Sequence, residues 1–345
     1  MIYRFPALCS AASVPLSRPS RRWGIPCVAT LVLLLAINTS PTTQAQTTYP
    51  TRPIRVINPY APGGGSDVLA RRFAQELTAR LGQSVIVENV AGAGGIPGMR
   101  QVADAAKDGY TLSFALTAQF AINPSLFANL PYDPLRDFDP ISVVASAPYV
   151  LVVHPSLPVR SIKALIALAK QQPGVLAYAS AGNGSGSHLS AALFNKMAGI
   201  DTQHIPYKGG GPGLIDVLAG RVPMTYVIHP SMAGHLKTGK LRALGVTTAK
   251  RITVLPDVPA IAEILPGYQA DVWYMAAAPA ATPKDIVVRL NSEFVKALHA
   301  PAIRQSLEAD GILLIGNSPT EAREFMRREI AKWADVVKTS GARVD

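Results

Sequence analysis

Residues 49–67, YPTRPIRVINPYAPGGGSD, combine a short β-branched run, a glycine-rich turn and the start of an amphipathic segment. The run Ile54–Ile57 is typical of a buried strand, and the apolar residues Leu69, Phe73 and Leu77 then recur at helical spacing. Gly82 follows where such a helix would end. This stretch therefore predicts a strand, a turn and a helix, which is the repeating unit of a parallel α/β sheet.

The same alternation continues along the chain. Ser161 is suited to cap a second amphipathic helix that ends at the break Pro173-Gly174. Further strand-like runs are found at 85–87, 111–116, 141–145, 149–153, 176–179, 204–207, 224–228 and 241–247. The pattern predicts an α/β protein with parallel sheets flanked by helices.

The N-terminal 45 residues are predicted to be an export signal. Three arginines, at 18, 21 and 22, precede the apolar run 27–37, which is shorter than the ~20 residues of a membrane span. The small residues Thr43 and Ala45 place the predicted cleavage after Ala45, and an uncleaved anchor is the alternative. The mature protein is therefore expected in the periplasm.

Composition limits what the mature chain can be. Both cysteines, Cys9 and Cys27, lie in the predicted signal, so no disulfide is expected. The signal also carries four arginines and no acidic residue, which leaves +7 of the formal charge of +11. The basic residues are scattered, and this argues against nucleic-acid binding.

About 300 mature residues exceed the size of a usual single core, so two lobes are expected. No flexible linker separates them, which predicts that strands cross between the lobes near Ser146–Val150 and Gln269–Tyr274. Lobe I would then be discontinuous and consist of residues 46–147 and 273–345, with residues 148–272 as lobe II.

Three loops are candidates for binding a ligand, because ligands of parallel α/β sheets bind at the carboxyl ends of strands. Glycines let the backbone approach a ligand, and free amides at a helix start attract anions. An ordinary tight turn remains the alternative for the first loop, and a solvated lysine for the third. The candidate residues of the first loop are Tyr60, Ala61, Pro62, Gly63, Gly64, Gly65, Ser66 and Asp67; those of the second are Ser180, Ala181, Gly182, Asn183, Gly184, Ser185, Ser187 and His188; the third contributes Lys208.

Motifs of enzymes and metal sites are missing from the sequence. The chain has no G-x-G-x-x-G fingerprint, no G-x-S-x-G nucleophile elbow and no H-E-x-x-H pair. Its six histidines show no metal-ligand spacing. We therefore expect a binding protein without catalytic residues, cofactor or metal, with a secreted α/β hydrolase as the alternative.

In their order along the chain, the peptides YPTRPIRVINPYAPGGGSD, VENVAGAGG, DGYTL, YASAGNGSGSHL, IPYKGGG and GKLRALGVTTAKR resemble the Bug receptors, the solute-binding proteins of tripartite tricarboxylate transporters. The resemblance covers essentially the whole mature chain. It implies a type II periplasmic binding protein fold that closes on a small carboxylate and delivers it, as a monomer, to a membrane permease. A sensory receptor with a signalling partner is the alternative.

The resemblance also extends the candidate site. It implies that the loop with Thr117, Ala118 and Gln119 lines the cleft, together with Tyr207 and Lys208. Members of this family commonly carry an aspartate where this chain has Val227. Without that carboxylate, we expect the far end of the ligand to be apolar or aromatic, and the ligand not to be an amino acid.

Overall fold

The computed structural model describes residues 49–63, 65–207 and 209–342. The predicted signal and its cleavage after Ala45, and the candidate ligand residues Gly64 and Lys208, lie outside the described residues. In the part of the chain that is described, no helix is both long enough and apolar enough to span a membrane.

The strands of the described residues form two sheets. In chain order they are β1 (Ile54–Asn58), β2 (Val85–Asn89), β3 (Thr111–Leu116), β4 (Phe138–Ala147), β5 (Tyr149–Val153), β6 (Ala177–Ser180), β7 (Gln203–Pro206), β8 (Met224–Ile228), β9 (Arg242–Val246), β10 (Val272–Pro279) and β11 (Leu313–Leu314). The strand order is β11-β4-β10-β3-β1-β2 in the first sheet and β7-β6-β8-β5-β9 in the second.

Helices cover both sheets, as the alternating pattern predicts. They are α1 (Gly65–Leu81), α2 (Ile96–Ala103), α3 (Asn123–Leu126), α4 (Pro134–Asp137), α5 (Ile162–Gln171), α6 (Gly186–Ala198), α7 (Gly210–Leu218), α8 (His229–Lys237), α9 (Lys284–Leu298), α10 (Pro301–Ala309) and α11 (Pro319–Ser340). A π turn at Ala118–Ile122 leads from β3 into α3. The predicted helix ends are confirmed: Gly82 has φ +68° after α1, and the Ser161 hydroxyl accepts from the amide of Ala164 at the start of α5.

Strand direction places the candidate loops at one edge of each sheet. In the first sheet β1 is parallel to β2 and β3, and in the second β6 is parallel to β7 and β8. The loops that follow β1, β3, β6 and β7 are the ones the sequence singles out. The sheets are nevertheless mixed and not purely parallel, because β10 runs antiparallel to β3 and β4, and β5 runs antiparallel to β8 and β9.

The chain passes between the sheets at the two segments predicted for crossing. Pro148 alone separates β4 of the first sheet from β5 of the second. On the return, the Ala270 amide bonds to Thr247 O beside the second sheet, and Val272 already pairs with Ala147 in the first. The boundary residues assigned to the two lobes stay a prediction.

One hydrophobic cluster runs through both sheets. It contains Phe120 and Trp273 of the first sheet's layer, Leu151 and Tyr226 of the second sheet, and Trp333 of α11. Helix α11 contacts both β4 and α6, so it braces the two halves from outside. Helix α11 also carries a buried carboxylate, Glu329, which is 8% exposed.

Candidate functional site

The first candidate loop runs from β1 into α1 and is held in place by the carboxylate of Asp67. Its Oδ2 accepts from the Gly63 amide at 2.9 Å and from Arg71 Nε at 3.0 Å, and its Oδ1 accepts from Asn89 Nδ2 at 2.9 Å. Burial opposes the ionised form, but these hydrogen bonds outweigh it and lower the pKa of Asp67. Asp67 is therefore a fixed internal anion that organises the loop, with its acceptor positions already in use.

Amides at the start of α1 remain available. The N–H groups of Gly65 and Ser66 make no hydrogen bond to another residue that the structure describes. They lie in the first helical turn, where amides have no intrahelical acceptor and the helix dipole is positive. The Ser66 hydroxyl donates to Asn58 Oδ1 at 2.9 Å and thereby ties this turn to the end of β1. The loop thus presents main-chain donors to the space in front of α1.

The segment Thr117 to Gln119, which the resemblance implies lines the cleft, contacts this first loop through Gln119. Gln119 is 1% exposed, its Nε2 donates to Gly94 O at 2.8 Å, and its amide contacts the Tyr60 hydroxyl at 3.0–3.2 Å. The Thr117 hydroxyl accepts from the Trp273 amide at 2.9 Å. Ala118 is half-buried. Gln119 therefore orients Tyr60, and neither its amide nor the Thr117 hydroxyl is left without a protein partner.

The second candidate loop runs from β6 into α6 and is folded by its own serines. The Ser185 hydroxyl caps α6 by accepting from the His188 amide, and it donates to Gly182 O at 2.6 Å. The Ser187 hydroxyl accepts from the Ala181 amide at 3.0 Å. These short-range bonds explain why serine and glycine alternate in this stretch: each turn of the backbone has a nearby hydroxyl to satisfy it.

Free main-chain donors are present in this loop as well. The amides of Asn183, Gly186 and Ser187 have no acceptor among the described residues. Gly186 and Ser187 form the first turn of α6, and a β-carbon built on Gly186 would lie 2.6 Å from the Tyr149 hydroxyl. A phenol donor and two helix-start amides therefore lie side by side.

Three tyrosines, Tyr60, Tyr149 and Tyr274, lie in the first loop and on the crossing segments, and only Tyr60 among them is a sequence candidate. Burial raises the pKa of Tyr149, and the nearby Tyr274 and Tyr60 raise it further. Burial, then Tyr60 and Asp310, raise the pKa of Tyr274 to about 12. Tyr60 therefore lies within electrostatic range of both Tyr149 and Tyr274. The three phenols stay protonated, so those of Tyr149 and Tyr274 remain able to donate a hydrogen bond, while that of Tyr60 already donates to Gln119 Oε1 at 3.2 Å.

Tyr149 and Tyr274 could have been identified from the sequence by their position on the predicted crossing segments, although no local motif marks them. Both lie at the crossing segments between the sheets, at the start of β5 and early in β10. Strands that connect two lobes run behind the cleft between them. An aromatic residue on a predicted crossing segment is thus a candidate for the cleft floor.

Direct contacts show that the second loop reaches the layer of the first sheet. A β-carbon added to Gly184 would collide with Leu126 of α3. On the other side of the loop, Gly186 lies against Tyr149. The loop that follows β6 therefore packs against the layer of the first sheet and against Tyr149.

His188 lies on the back of the second loop. It is 4% exposed, its ring stacks on His204 with centroids 3.8 Å apart, and its Nδ1 accepts from the Gly184 amide at 3.0 Å. Burial and the neighbouring His204 lower the pKa of His188 to about 4. The side chain is therefore engaged by the loop and by His204, and it is neutral at ordinary pH.

Two further described candidates, Tyr207 and Val227, make contacts within the second sheet and its helices. The Tyr207 hydroxyl donates to Asp216 at 2.7 Å, so it is engaged near the C-terminal end of α7. Val227 is 8% exposed and packs with Val150 and Met232 in a core cluster on one face of the second sheet. Ligand contact by each of the candidate residues stays a prediction. Among the residues that the structure covers, no group of three or more His, Cys, Asp or Glu could hold a metal ion.

Comparisons of the sequence and of the structure with known proteins agree on one family. The profile of the tripartite tricarboxylate transporter family receptor matches residues 69–342. Protein BugT of Bordetella pertussis is 40% identical over 299 residues, which is 86% of this chain and 92% of that protein.

Solved structures agree with this similarity. An R. palustris protein solved with adipate is 38% identical, with a TM-score of 0.73, and the match covers 86% of this chain and all of that one. MatC from Rhodopseudomonas palustris, solved with bound malate, is 32% identical, with a TM-score of 0.70, over 84% of this chain and all of that one.

Proposed function

This chain belongs to the tripartite tricarboxylate transporter receptor family, and we propose that it binds a small carboxylate between its two lobes in the periplasm. Its relatives are solute-binding receptors and not enzymes. The proposed mechanism is reversible capture: the two loops bind the anion, the lobes close about the crossing strands, and the population shifts toward the closed form.

The observation that carries this proposal is the pair of helix starts. The free amides of Gly65 and Ser66 begin α1, and those of Gly186 and Ser187 begin α6, with the Tyr149 hydroxyl beside the latter. Each helix start can stabilise one negative charge by about 0.3–2 kcal/mol. Such donors suit a carboxylate, because its two oxygens can accept from both sides at once.

The ligand is expected to lack an ammonium group. Relatives were solved with adipate and with malate, which are carboxylates without one. In this chain Val227 is apolar and buried, and Asp67 already accepts from three donors. An ammonium group would thus find no free carboxylate in the first loop. We propose an acid whose far end is apolar or aromatic, with the phenols as its remaining polar partners.

We propose further that the chain is exported by its N-terminal segment and acts as a monomer. The closed form would be presented to the permease subunits of a tripartite tricarboxylate transporter, as the family name implies.

A thermal-shift screen of residues 46–345 tests the binding proposal. The probes are adipate, malate, benzoate and glutamate. A true ligand raises Tm with concentration and is not consumed; at a hundred times Kd the added stability is about 2.7 kcal/mol. Failure of every carboxylate to shift Tm would contradict the proposal, and strong stabilisation by glutamate alone would contradict the proposed ligand class.

Gly65→Val tests whether the first loop is the site. A β-carbon at Gly65 meets no atom within 4 Å, so the larger side chain fits the protein but fills the space in front of α1. We expect binding in calorimetry to be lost while Tm without ligand stays near that of the wild type. Gly234→Val is the matched control, because Gly234 lies in α8 with equally open surroundings. Equal affinity of the two variants would refute the assignment.

A further inference from the structure

Two stacked histidines, His188 and His204, form hydrogen bonds to the second loop. His188 lies in the first turns of α6 and His204 lies on β7, and their rings are nearly parallel, at 2°. Tyr178 of β6 stacks below His204 with centroids 5.1 Å apart. Tyr178 also stacks on His188 with centroids 6.4 Å apart, so three rings from three neighbouring elements form one cluster behind the loop.

Both imidazoles bond to the loop itself. His188 Nδ1 accepts from the Gly184 amide at 3.0 Å in a buried hydrogen bond, and His204 Nε2 lies 2.6 Å from the Ser180 hydroxyl. The Ser180 hydroxyl in turn accepts from the Gly182 amide at 3.1 Å. The amides of Gly182 and Gly184 are therefore directed to the back of the loop, while those of Asn183, Gly186 and Ser187 have no acceptor among the described residues.

From this arrangement we propose that His188 is a positioning residue for ligand binding. By accepting the Gly184 amide, with His204 stacked on it and fastened to Ser180, it holds the loop in the conformation that exposes its other amides. The inference rests on the proposed function of this loop as one side of the carboxylate site. The acceptor role requires an unprotonated Nδ1, because a doubly protonated imidazole has no lone pair to offer.

Protons can reach the pair from a cavity of about 600 Å³ on its outer side. His188 and His204 line this cavity together with Tyr178, Lys196 and Asp201, and with the uncharged Thr339 and Ser340 of α11. Lys196 is paired with Asp335 of α11. The charged groups described around the cavity thus comprise one paired lysine and one aspartate, and neither bonds to either imidazole.

Substitutions separate the acceptor role from simple packing. His188→Asn places an amide oxygen at the position of Nδ1, whereas His188→Phe keeps a ring to stack on His204 but offers no acceptor. We expect His188→Phe to weaken adipate binding about five- to 150-fold, the effect of one unsatisfied buried amide, and His188→Asn to stay within roughly threefold of wild type. If adipate does not bind, the strongest acid of the thermal-shift screen replaces it. His188→Leu serves if the phenylalanine variant does not fold.

The pH profile gives a readout that packing alone would not move. As the pH falls towards the lowered pKa of His188, about 4, wild-type affinity should decrease more than that of His188→Asn, whereas protonation of the ligand affects both proteins equally. His299→Asn, at the end of α9, is the control and should follow the wild type. Rising affinity in acid, from attraction of the anion to an imidazolium, would overturn the proposal, as would unchanged affinity in His188→Phe.

Amide hydrogen exchange distinguishes this proposal from the function on which it rests. In the ligand-free protein the Gly184 amide should exchange slowly in the wild type and in His188→Asn, and faster in His188→Phe. This result is expected even if no acid binds, in which case only the proposed function fails. Equally slow exchange in all three proteins would mean that His188 does not hold the loop.

Discussion

Gly186→Ala should affect ligand binding more than folding, because the nearest atoms to the added methyl group all belong to Tyr149 of the proposed site. The new β-carbon would lie 2.6 Å from the Tyr149 hydroxyl and 3.0 Å from Cε2 of the same ring. Both distances are too short for non-bonded atoms, so the phenol or the start of α6 must move by a few tenths of an ångström or more. Overpacking of this kind costs about 1–3 kcal/mol.

Stability should change less than affinity. Gly186 is not held at positive φ, and alanine favours a helix over glycine by about 0.8–1.0 kcal/mol, which partly offsets the collision. Because the displaced groups are the proposed carboxylate donors, Kd should rise about five- to 150-fold.

Calorimetry with the best acid of the screen, paired with urea denaturation, measures both quantities. Gly234→Ala, in an open stretch of α8, is the matched control and should bind like the wild type. An unchanged Kd in Gly186→Ala would refute the placement of the ligand between Tyr149 and α6. A Kd that rises together with an equal loss of stability would show only that the fold is damaged.

Three further outcomes are expected. Glu329 Oε2 accepts from the indoles of Trp273 and Trp333 at 2.9 and 3.0 Å. In urea denaturation, Glu329→Ala should therefore lower the free energy of unfolding by about 2–5 kcal/mol, and Glu329→Gln by less than half of that. Equal losses in the two variants would contradict the hydrogen-bond explanation. Asp67→Asn removes one acceptor oxygen from the first loop and should weaken carboxylate binding about tenfold in calorimetry. Unchanged affinity would show that the loop conformation does not depend on Asp67. The pKa of His188 is lowered to about 4, so the unfolded chain binds more protons between pH 4 and about 6.5; the free energy of unfolding should fall as the pH falls through this window, by at most about 3 kcal/mol, and His188→Asn should reduce that slope.

Local patterns in the sequence were enough to predict the loops. Strand, glycine turn and helix follow one another within residues 54–81, and each of these states depends on neighbours a few positions apart. The same holds for the Ser161 cap and for the Gly82 helix end. The mixed character of the sheets is different, because it depends on the chain reversing as it crosses at Pro148 and before Val272. Strand direction after a crossing is not encoded in hydrophobic periodicity.

The direction in which a loop side chain points could not be predicted in the same way. Asp67 is a ligand candidate by position, but Asn89, 22 residues later, and Arg71 occupy its oxygens. His188 is a candidate for the same reason, yet β6 and β7 pair so that His204 stacks on its ring. In both cases a partner that is distant in sequence decides whether the group faces the ligand or supports the loop.

In the proposed site, main-chain donors and side-chain phenols would have different roles in recognition. Glycine-rich helix starts offer the same amides to any carboxylate, so by themselves they cannot distinguish one acid from another. In the proposed site Tyr149 and Tyr274 would do so: the Tyr149 ring lies against the start of α6, and burial keeps both phenols protonated. Both residues also lie on the segments that connect the sheets, so the groups that would discriminate among acids are attached to the strands about which the lobes must move. We therefore expect ligand identity and the extent of closure to be coupled in this protein, since a change of ring position at Tyr149 acts on the loop of α6 and on the crossing at Pro148 together.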